Sequence, residues 1–394
     1  MLERQSRGRI PDAPHTRLEG AGGRLLYEHC ITRQGFDGPY TIAYHERRPH
    51  EASPAAEPPV SLPPAASSPE RLLRRHYVSP QSALELEPFP RHRGRLLENA
   101  DVALSLAMPT RSDPFYFANA DGDELYFIHA GSGTLRTLLG DVAYQTGDYV
   151  YVPRSLLHRF VLDAGSSQHW LVLELRHPLG LPSGYRNGVG QLRLDAPYSH
   201  RDFRAPALSA PRDEGLRDFW LKTQGTLQKY QLPASPLDVV GWDGSLYPFA
   251  FSIDAFKPKV GKVHLPPPAH ATFEAKGVLI CSFVPRPLDF HEQAVPCPYP
   301  HSSVDVDEVL FYSRGNFTSR RGVGPGSISH HPRGIPHGPH PGAYEASVGS
   351  KQTDELAVML DCALPLTRSA LAESLEDTAY HGSFVASAGN HSTG

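Results

Sequence analysis

The chain lacks the features of a membrane or secreted protein. No apolar run approaches the roughly 20 residues that a membrane-spanning helix needs, so we expect no membrane partner. Residues 1–20 contain no apolar core segment, and we therefore expect no secretion signal. The four cysteines, at positions 30, 281, 297 and 362, form no C-x-x-C pair. Widely separated thiols of this kind are typical of a cytoplasmic protein that keeps them reduced.

The chain also lacks an excess of positive charge. Its 38 basic residues are outnumbered by 42 acidic residues, which gives a net charge of -4. A protein that binds nucleic acid normally carries a clustered basic surface. We therefore expect no nucleic-acid partner.

Methionine and tryptophan are scarce, with 3 residues each, whereas proline, glycine and histidine are abundant. The 39 Pro and 34 Gly disfavour long helices and favour short strands joined by turns. The 21 His supply many candidate metal ligands. A length of 394 residues allows two domains or one double domain. We therefore expect a mainly all-β protein with few short helices.

The segment 301–342 carries the clearest functional motif. Its residues fall into two spacings, the first formed by His301, Ser303, Glu308 and Gly315 and the second by Gly326, Pro332, Gly334 and His337. These spacings resemble the two cupin motifs, except that Ser303 replaces a histidine. Two imidazoles and one carboxylate, from His301, Glu308 and His337, are a set that holds a non-haem Fe(II) and leaves positions open for substrate and oxygen.

The residues between His301 and Glu308, SSVDVD, favour a turn. On one straight strand the two side chains would face opposite ways, because their separation is an odd number of residues. A turn would instead place them on adjacent strands of a hairpin, with both side chains pointing to one interior. Asp305 and Asp307 are assigned to turn formation rather than to metal binding, because Gly315 and the apolar strand fix the position of Glu308.

An earlier stretch repeats both spacings but keeps few of the ligands. Residues 99–176 contain short apolar or alternating runs with turns between them, as expected for a first barrel. Glu124 and His158 occupy ligand positions, whereas Phe117 and Asn119 stand where the first motif has histidines. One carboxylate and one imidazole make a poor metal cage, so we expect a metal-free structural half. The chain therefore resembles a double cupin, made of two jelly-roll β-barrel halves.

The predicted organisation has four parts. Residues 1–98 form N-terminal strands and a Pro-rich linker, and residues 99–245 form the first cupin half with its connecting segment. Residues 246–380 form the second, metal-binding half, and residues 381–394 form a flexible tail. Within the second half, TRSALAESLED is the best helix candidate, with Thr367 as its N-cap.

Several stretches together resemble the homogentisate 1,2-dioxygenase family, in particular its shorter and more divergent bacterial branch. They are YEHCITRQGFDGPY, PLDVVGWDGSLYPFAFSI, HLPPPAHATFE, YPHSSVDVDEVLFYSRGNF and HHPRGIPHGPHPG. The resemblance implies an Fe(II) enzyme that opens the ring of homogentisate with dioxygen to give maleylacetoacetate, a step of tyrosine and phenylalanine catabolism. It implies His301, Glu308 and His337 as the iron ligands, and a homo-oligomer.

The same resemblance implies further site residues. A family histidine close to substrate and oxygen falls on His331, for which a role in orienting a ligand is an equal alternative. The family's acid/base histidine falls on His264, with His270 as the alternative because a one-residue gap would shift the alignment. Arg320 and Arg321 are candidates for a clamp on the substrate carboxylate, but we expect both side chains to lie on the solvated surface.

One departure from the family leaves the substrate open. Where better-studied members have a tyrosine beside the substrate, this chain has Phe317. The lost hydroxyl removes a hydrogen bond of roughly 0.5 to 1.5 kcal/mol. The alternatives are a double-cupin dioxygenase acting on gentisate or a related hydroquinone acid, a metal-dependent isomerase, and a binding cupin without turnover. Manganese or zinc would accept the same ligand set as iron.

Overall fold

The computed structural model describes residues 3–32, 39–49, 51, 53–58, 60–61, 71–79, 93–262, 265, 267–298, 300–317 and 319–384. The chain divides into two compact units. Unit 1 comprises Met1–Pro64, Ala83–Gly94 and Val102–Ala255, and unit 2 comprises Ala65–Ser82, Arg95–Asp101 and Phe256–Gly394. Strands dominate both units, and the expectation of an all-β double fold is confirmed.

The first strands in chain order are β1 Gln5–Gly8, β2 Tyr27–Thr32, β3 Tyr40–His45, β4 Ser53–Pro54, β5 Val60–Ser61, β6 Arg75–Tyr77, β7 Arg93–Glu98, β8 Val102–Ala107, β9 Tyr116–Asn119, β10 Asp123–Ala130, β11 Gly133–Thr137, β12 Gly140–Tyr144, β13 Asp148–Val152, β14 His158–Leu162 and β15 His169–Leu175. They are followed by β16 Phe203–Arg204, β17 Asp218–Thr223, β18 Thr226–Gln231, β19 Val239–Gly244, β20 Phe249–Ser252, β21 Ala271–Ala275, β22 Val278–Phe283, β23 Arg286–Pro287, β24 Asp307–Arg314, β25 Ile328–His331, β26 Gln352–Thr353, β27 Leu356–Cys362 and β28 Thr367–Arg368. The α-helices of the described residues are α1 Ala343–Ala346 and α2 Ala370–Leu375.

Unit 1 contains two sheets that pack face to face. One has the strand order β16-β20-β13-β10-β15-β8, and the other has the order β12-β11-β14-β9-β17-β18-β4. Aromatic rings fill the space between them. Phe160 on β14 lies 4.8 Å from both Tyr126 on β10 and Trp170 on β15, measured between ring centroids. All three side chains are buried. A further sheet of unit 1 has the order β1-β19-β3-β2.

Unit 2 is built on the sheet β21-β22-β27-β24-β25-β6. Successive side chains of a strand point to opposite faces, and β24 uses this alternation to separate core from site. Val309 and Phe311 are fully buried in the core. Glu308, Leu310 and Tyr312 lie on the other face and line a cavity. A short apolar strand therefore delivers one carboxylate to a chosen position on the concave side of the sheet.

The glycine that ends the first spacing plays the same part in both units. Gly315 has φ +87°, and a Cβ at this position would lie 2.1 Å from the carbonyl oxygen of Asp354. Gly131, at the matching place in unit 1, has φ +112°, and its Cβ would lie 2.1 Å from Oε1 of Gln168. Any side chain would be strained and would clash at either turn. These two positions therefore require glycine.

The predicted C-terminal helix is confirmed as α2, but its predicted N-cap is wrong. Ser369 caps the helix, since its hydroxyl accepts a hydrogen bond from the backbone N–H of Ala372 at 3.2 Å. Thr367 lies two residues earlier in β28, where it pairs with Glu98. A β-branched residue is favoured in a strand, which explains its place. Among the described residues, no helix is long and apolar enough to cross a membrane.

Candidate metal centre

Three predicted ligands of unit 2 converge. The side chains of His301, Glu308 and His337 each offer one ligand atom, and these atoms lie within 4.8 Å of one another. Nε2 of His301 lies 3.6 Å from Oε2 of Glu308, and Nε2 of His337 lies 3.6 Å from Oε1. Glu308 and His337 are buried, whereas the side chain of His301 is 33% exposed. The cluster is therefore reached by solvent from the side of His301.

The two histidines are held by one backbone contact. His301 and His337 form an antiparallel β-bridge, in which each backbone N–H donates to the other's carbonyl oxygen at 2.8 Å. The predicted hairpin between His301 and Glu308 is therefore wrong in its pairing, because Glu308 lies on β24 between His331 of β25 and Asp361 of β27. The residues between His301 and β24 form bends rather than a strand. The side chains still meet, as the turn argument required.

The tautomer of His337 suits a metal ligand. Its Nδ1 lies 3.0 Å from the carbonyl oxygen of Ile335, to which a protonated Nδ1 donates. The opposite nitrogen, Nε2, then carries a lone pair directed at the cluster. This atom is buried and has no hydrogen-bond partner within the described part of the chain. A buried nitrogen without a partner is costly, and a cation between the two imidazoles and the carboxylate would satisfy it, so the donor set fits a metal ion.

The electrostatics of Glu308 favour its charged form. Burial by itself raises the pKa of this carboxyl, but its interactions with the imidazoles of His301, His331 and His337 outweigh burial and hold the pKa well below its usual range. The ionised form of Glu308 is therefore favoured at neutral pH. A metal ligand needs this charge state.

His331 lies behind the carboxylate rather than in the open space before it. Its Nδ1 is 2.8 Å from Oε1 of Glu308, and its Nε2 is 3.4 Å from the hydroxyl of Tyr380. The ring is fully buried and stacks on His337 at 4.6 Å between centroids. Burial is the main cause that lowers the pKa of His331 to about 3, so the ring is neutral. This position suits the orientation of a ligand, the second of the two roles considered for His331.

The two candidates for an acid/base histidine differ in what the structure describes. His264 lies outside the described residues. His270 lines the cavity of unit 2 and packs on the ring of Phe283, with 5.0 Å between the centroids. Of the two, His270 is therefore the one whose position beside the cavity is known.

The cavity in front of the cluster has a volume of about 400 Å³, which is enough for a small aromatic acid. His301, Glu308 and Asp361 line its polar end. Its walls also contain apolar and aromatic side chains, namely Phe283, Leu310, Tyr312, Phe317 and Met359. This composition suits a flat ring that carries a few polar substituents.

Phe317 and Tyr312 form one aromatic wall of this cavity. Their rings are in edge contact at 4.8 Å, and both are buried. The hydroxyl of Tyr312 lies 2.8 Å from the hydroxyl of Ser329. The neighbouring Phe311 is buried in the core, whereas Tyr312 is buried and also lines the cavity. Phe317 contributes surface to the cavity but no hydrogen bond, as its side chain dictates.

The expectation of solvated surface holds for one of the two arginines and is wrong for the other. Arg321 is exposed. Arg320 is partly buried and lines the cavity, and one of its guanidinium nitrogens donates to the carbonyl oxygen of Gly338. The physical reason is a contact between residues that are distant in sequence, because the Arg320 side chain turns toward the backbone of Gly338, which follows His337. The sequence next to Arg320 contains no sign of this contact.

Two further residues were not recognised from the sequence. Asp361, next to the last residue of the apolar strand β27, lines the cavity and pairs with Glu308 of the neighbouring strand β24. Burial and the charge of Glu308 raise the pKa of Asp361 to about 7. A carboxyl group inside the run LAVMLDC was a signal for this residue. Tyr380 comes from the C-terminal turn Tyr380–Phe384, and no sequence feature pointed to it.

The matching position of unit 1 already has a cationic partner. Glu124 accepts a hydrogen bond from a guanidinium nitrogen of Arg93 at 2.8 Å and from the side-chain amide of Asn119 at 3.0 Å. The hydroxyl of Tyr126 donates to the second oxygen at 2.7 Å, and Nε2 of His158 lies 3.6 Å from it. The side chains of Arg93 and Glu124 are buried. A guanidinium therefore neutralises the carboxylate that corresponds to Glu308.

Comparison with known proteins found relatives of this chain. A family model described as "Homogentisate 1,2-dioxygenase N-terminal" matches residues 97–253. A Saccharolobus solfataricus protein named "Putative dioxygenase SSO1533" is 33% identical over 376 residues, which cover 95% of this chain and 96% of that protein. Homogentisate 1,2-dioxygenase of Bradyrhizobium diazoefficiens is 28% identical over 66% of this chain, and the match spans 61% of that enzyme's length. A solved cupin 2 conserved barrel domain protein from Leptotrichia buccalis is 12% identical, over 69% of this chain and 88% of that one, with a TM-score of 0.28.

The β fold, the His–Glu–His cluster and these relatives together define a dioxygenase of the cupin type. Its three candidate ligands come from unit 2, whereas the family model matches the region before it. The chain belongs to the homogentisate 1,2-dioxygenase family.

Proposed function

We propose that the protein is an Fe(II)-dependent dioxygenase that cleaves the ring of homogentisate with dioxygen to give maleylacetoacetate. Both oxygen atoms of dioxygen enter the product while one carbon–carbon bond of the ring breaks, so no other oxidant or reductant is consumed. The observation that carries the proposal is the convergence of His301, Glu308 and His337, of which His301 and Glu308 line a cavity of about 400 Å³. Membership of the homogentisate 1,2-dioxygenase family supports the choice of substrate.

In this proposal His301, Glu308 and His337 hold the metal. Fe(II), when bound there, would supply the one-electron chemistry that the reaction of the ring with dioxygen needs. The chain supplies the charge balance, because Glu308 is ionised and both imidazoles are able to present a lone pair. His331 keeps the Glu308 carboxylate in one orientation through its contact at 2.8 Å.

The remaining cavity residues bind and orient the ring. Leu310, Phe317 and Tyr312 offer apolar and aromatic surface on which an aromatic ring would pack. His270 lies at the cavity wall, where a neutral imidazole would accept the proton of a ring hydroxyl. His264, the first candidate for the acid/base, lies outside the described residues, and His270 is the alternative that lines the cavity.

A second candidate reaction is favoured by Phe317. A phenylalanine packed on Tyr312 offers no hydroxyl to a substrate. The hydrogen bond that the family's tyrosine would donate to homogentisate is therefore missing. Gentisate, in which the carboxylate is attached directly to the hydroquinone ring, is a shorter acid that the same cavity would admit. Cleavage of gentisate or a related hydroquinone acid is therefore the alternative substrate assignment.

The test is an aerobic assay of the purified protein with Fe(II) and ascorbate. We expect homogentisate to be consumed with one equivalent of oxygen and with the absorbance of the ring-opened diketone acid. Glu308→Ala should abolish turnover, whereas His158→Ala, in the corresponding position of unit 1, should preserve it. Selective cleavage of gentisate would move the assignment to the second candidate. Iron-loaded protein that leaves every hydroquinone acid intact would refute both.

A further inference from the structure

We propose that Arg320 is the residue that anchors the carboxylate of the aromatic substrate. The inference rests on the proposed function of the same cavity and names the chemical feature that this cavity selects. A substrate with a negatively charged arm would be held at that arm by the guanidinium, while its ring lies against the aromatic wall. Arg320 would thereby determine specificity for an acid over a neutral hydroquinone.

The first observation is the position of the Arg320 side chain. It lines the same cavity as His301, Glu308 and Phe317. Its Nη1 atom donates to the carbonyl oxygen of Gly338, the residue that follows His337. The guanidinium is therefore tied to the backbone that carries a candidate metal ligand. An anion held by Arg320 would lie at a fixed distance from the metal centre, which is what ring cleavage at one bond requires.

The second observation is the hydrogen bonding of the guanidinium. Besides Gly338, Nη1 contacts the carbonyl oxygen of Ser319 at 3.4 Å, and the guanidinium interacts with the hydroxyl of Tyr312. Its Nε atom is buried and has no hydrogen-bond acceptor within the described part of the chain. An enclosed guanidinium nitrogen without an acceptor is costly. A carboxylate that accepts from Nε would remove this cost and would form a charge-assisted hydrogen bond.

The third observation is the state of the other charged groups at the cavity. Arg286, the other arginine on the cavity wall, forms an ion pair with Glu355 at 3.0 Å. Glu308 is engaged by three imidazoles. No carboxylate of the described residues forms an ion pair with Arg320, whose contacts are carbonyl and hydroxyl oxygens. The positive charge of Arg320 is thus available to a ligand, whereas that of Arg286 is already neutralised.

A binding experiment tests this inference without turnover. Homogentisate and its neutral primary amide are titrated into the metal-loaded protein under argon, and the heat of binding is measured. We expect the native protein to bind the acid about 10- to 100-fold more tightly than the amide, as for a charge-assisted hydrogen bond in an enclosed site. Arg320→Gln should reduce affinity for the acid to that for the amide. Arg320→Lys, which keeps the charge but not the fork of donors, should retain part of the preference.

The matched control is Arg321→Gln, which removes the neighbouring exposed charge and should leave both affinities unchanged. Equal binding of acid and amide by the native protein would overturn the inference, even if Arg320→Gln did not fold. An unchanged preference in folded Arg320→Gln would overturn it as well, and so would the absence of any binding of the acid at millimolar concentration.

Turnover separates this inference from the proposed function. If ring cleavage occurs, Arg320→Gln should raise KM for homogentisate by about 10-fold or more with a smaller change in kcat. An unchanged KM would contradict the anchoring role of Arg320 and would leave the proposed reaction intact. If no hydroquinone acid is cleaved but acid binding depends on Arg320, the proposed reaction fails and the anchoring role stands.

Discussion

The Nδ1 atom of His331 lies 2.8 Å from Oε1 of Glu308, and the other oxygen of this carboxylate lies 3.6 Å from Nε2 of His301. The carboxylate is thus held between a histidine that is fully buried and one that borders the cavity. Rotation of the carboxylate would break the contact with His331. The partner on the buried side therefore controls the geometry on the open side.

Replacement of His331 by alanine should weaken metal binding by roughly 10- to 100-fold, since the orienting partners of metal ligands typically contribute this much. Tyr380→Phe, which removes only the longer contact at 3.4 Å, should have a smaller effect. Competition with a chelator of known affinity measures both variants. If His331→Ala keeps full metal affinity but loses binding of homogentisate, the residue belongs with the substrate and not behind Glu308.

Glu308 and Glu124 should respond differently to replacement by alanine. Glu308→Ala should lose stoichiometric metal, whereas Glu124→Ala should bind as much metal as the native protein. Because Glu124→Ala leaves the buried charge of Arg93 without its ion-pair partner, we expect it to lower the free energy of unfolding by about 3–5 kcal/mol. Elemental analysis and urea unfolding measure the two effects. A loss of metal in Glu124→Ala would show that unit 1 holds metal after all.

Asp307 should make the stability of the protein depend on pH in acid. Burial raises the pKa of this carboxyl, but hydrogen bonds from His330 and from the backbone N–H groups of Leu366 and Arg333 outweigh burial and lower it to about 2. Because the pKa is lower in the folded than in the unfolded state, the contribution is fully present above about pH 4 and is lost as the pH falls toward 2. A difference of roughly two pKa units corresponds to about 2–3 kcal/mol.

The measurement is urea unfolding of the native protein and of Asp307→Asn between pH 7 and pH 2.5. The variant should be less stable at pH 7, and the difference should shrink as the pH falls. Asp305→Asn, at an exposed position of the same segment, should change the free energy of unfolding by less than about 0.5 kcal/mol. A difference that is constant over this pH range would show that the charge of Asp307 is not the cause.

Thiol reactivity should distinguish Cys30 from the other cysteines. No disulfide joins the four cysteines, all of which lie in the described part of the chain, and Cys30 is the exposed one. Burial raises the pKa of Cys297 to about 11 and holds those of Cys281 and Cys362 well above their usual range. Since the thiolate is the reactive form, Ellman's reagent at pH 8 should modify Cys30 first.

The variant Cys30→Ser should remove the fast phase of this reaction, and unfolding in guanidinium should make the remaining thiols reactive. A second fast thiol in the native protein would contradict the prediction. Cys297 would be the first candidate for such a thiol, because it borders the cavity.

The sequence was sufficient for the parts of the site that depend on local spacing. The positions of Glu308 and Gly315 follow from a single strand and its closing turn, and both are where the motif places them. The pairing of His301 was not predictable in this way. Its partner His337 is distant in sequence, and a local turn argument favoured β24 instead.

The contacts of Arg320 and Tyr380 could not be predicted from the sequence for a related reason. Arg320 lies in the polar segment RGNFTSRRG, whose composition is typical of protein surface. Its position beside the cavity depends on the contact with the backbone of Gly338. Tyr380 reaches His331 from a C-terminal turn that has no motif of its own. Burial of a single side chain depends on segments that are far apart in the chain, and spacing rules do not contain this information.

The backbone rung between His301 and His337 has a further consequence for how the centre is assembled. Since each residue both donates to and accepts from the other at 2.8 Å, the spacing of the two imidazoles is set by main-chain geometry before any ion arrives. Glu308 lies within the loop that this rung closes. Binding of an ion then costs little free energy for ordering the ligands. A mutation that breaks the two backbone hydrogen bonds would displace both histidines at once.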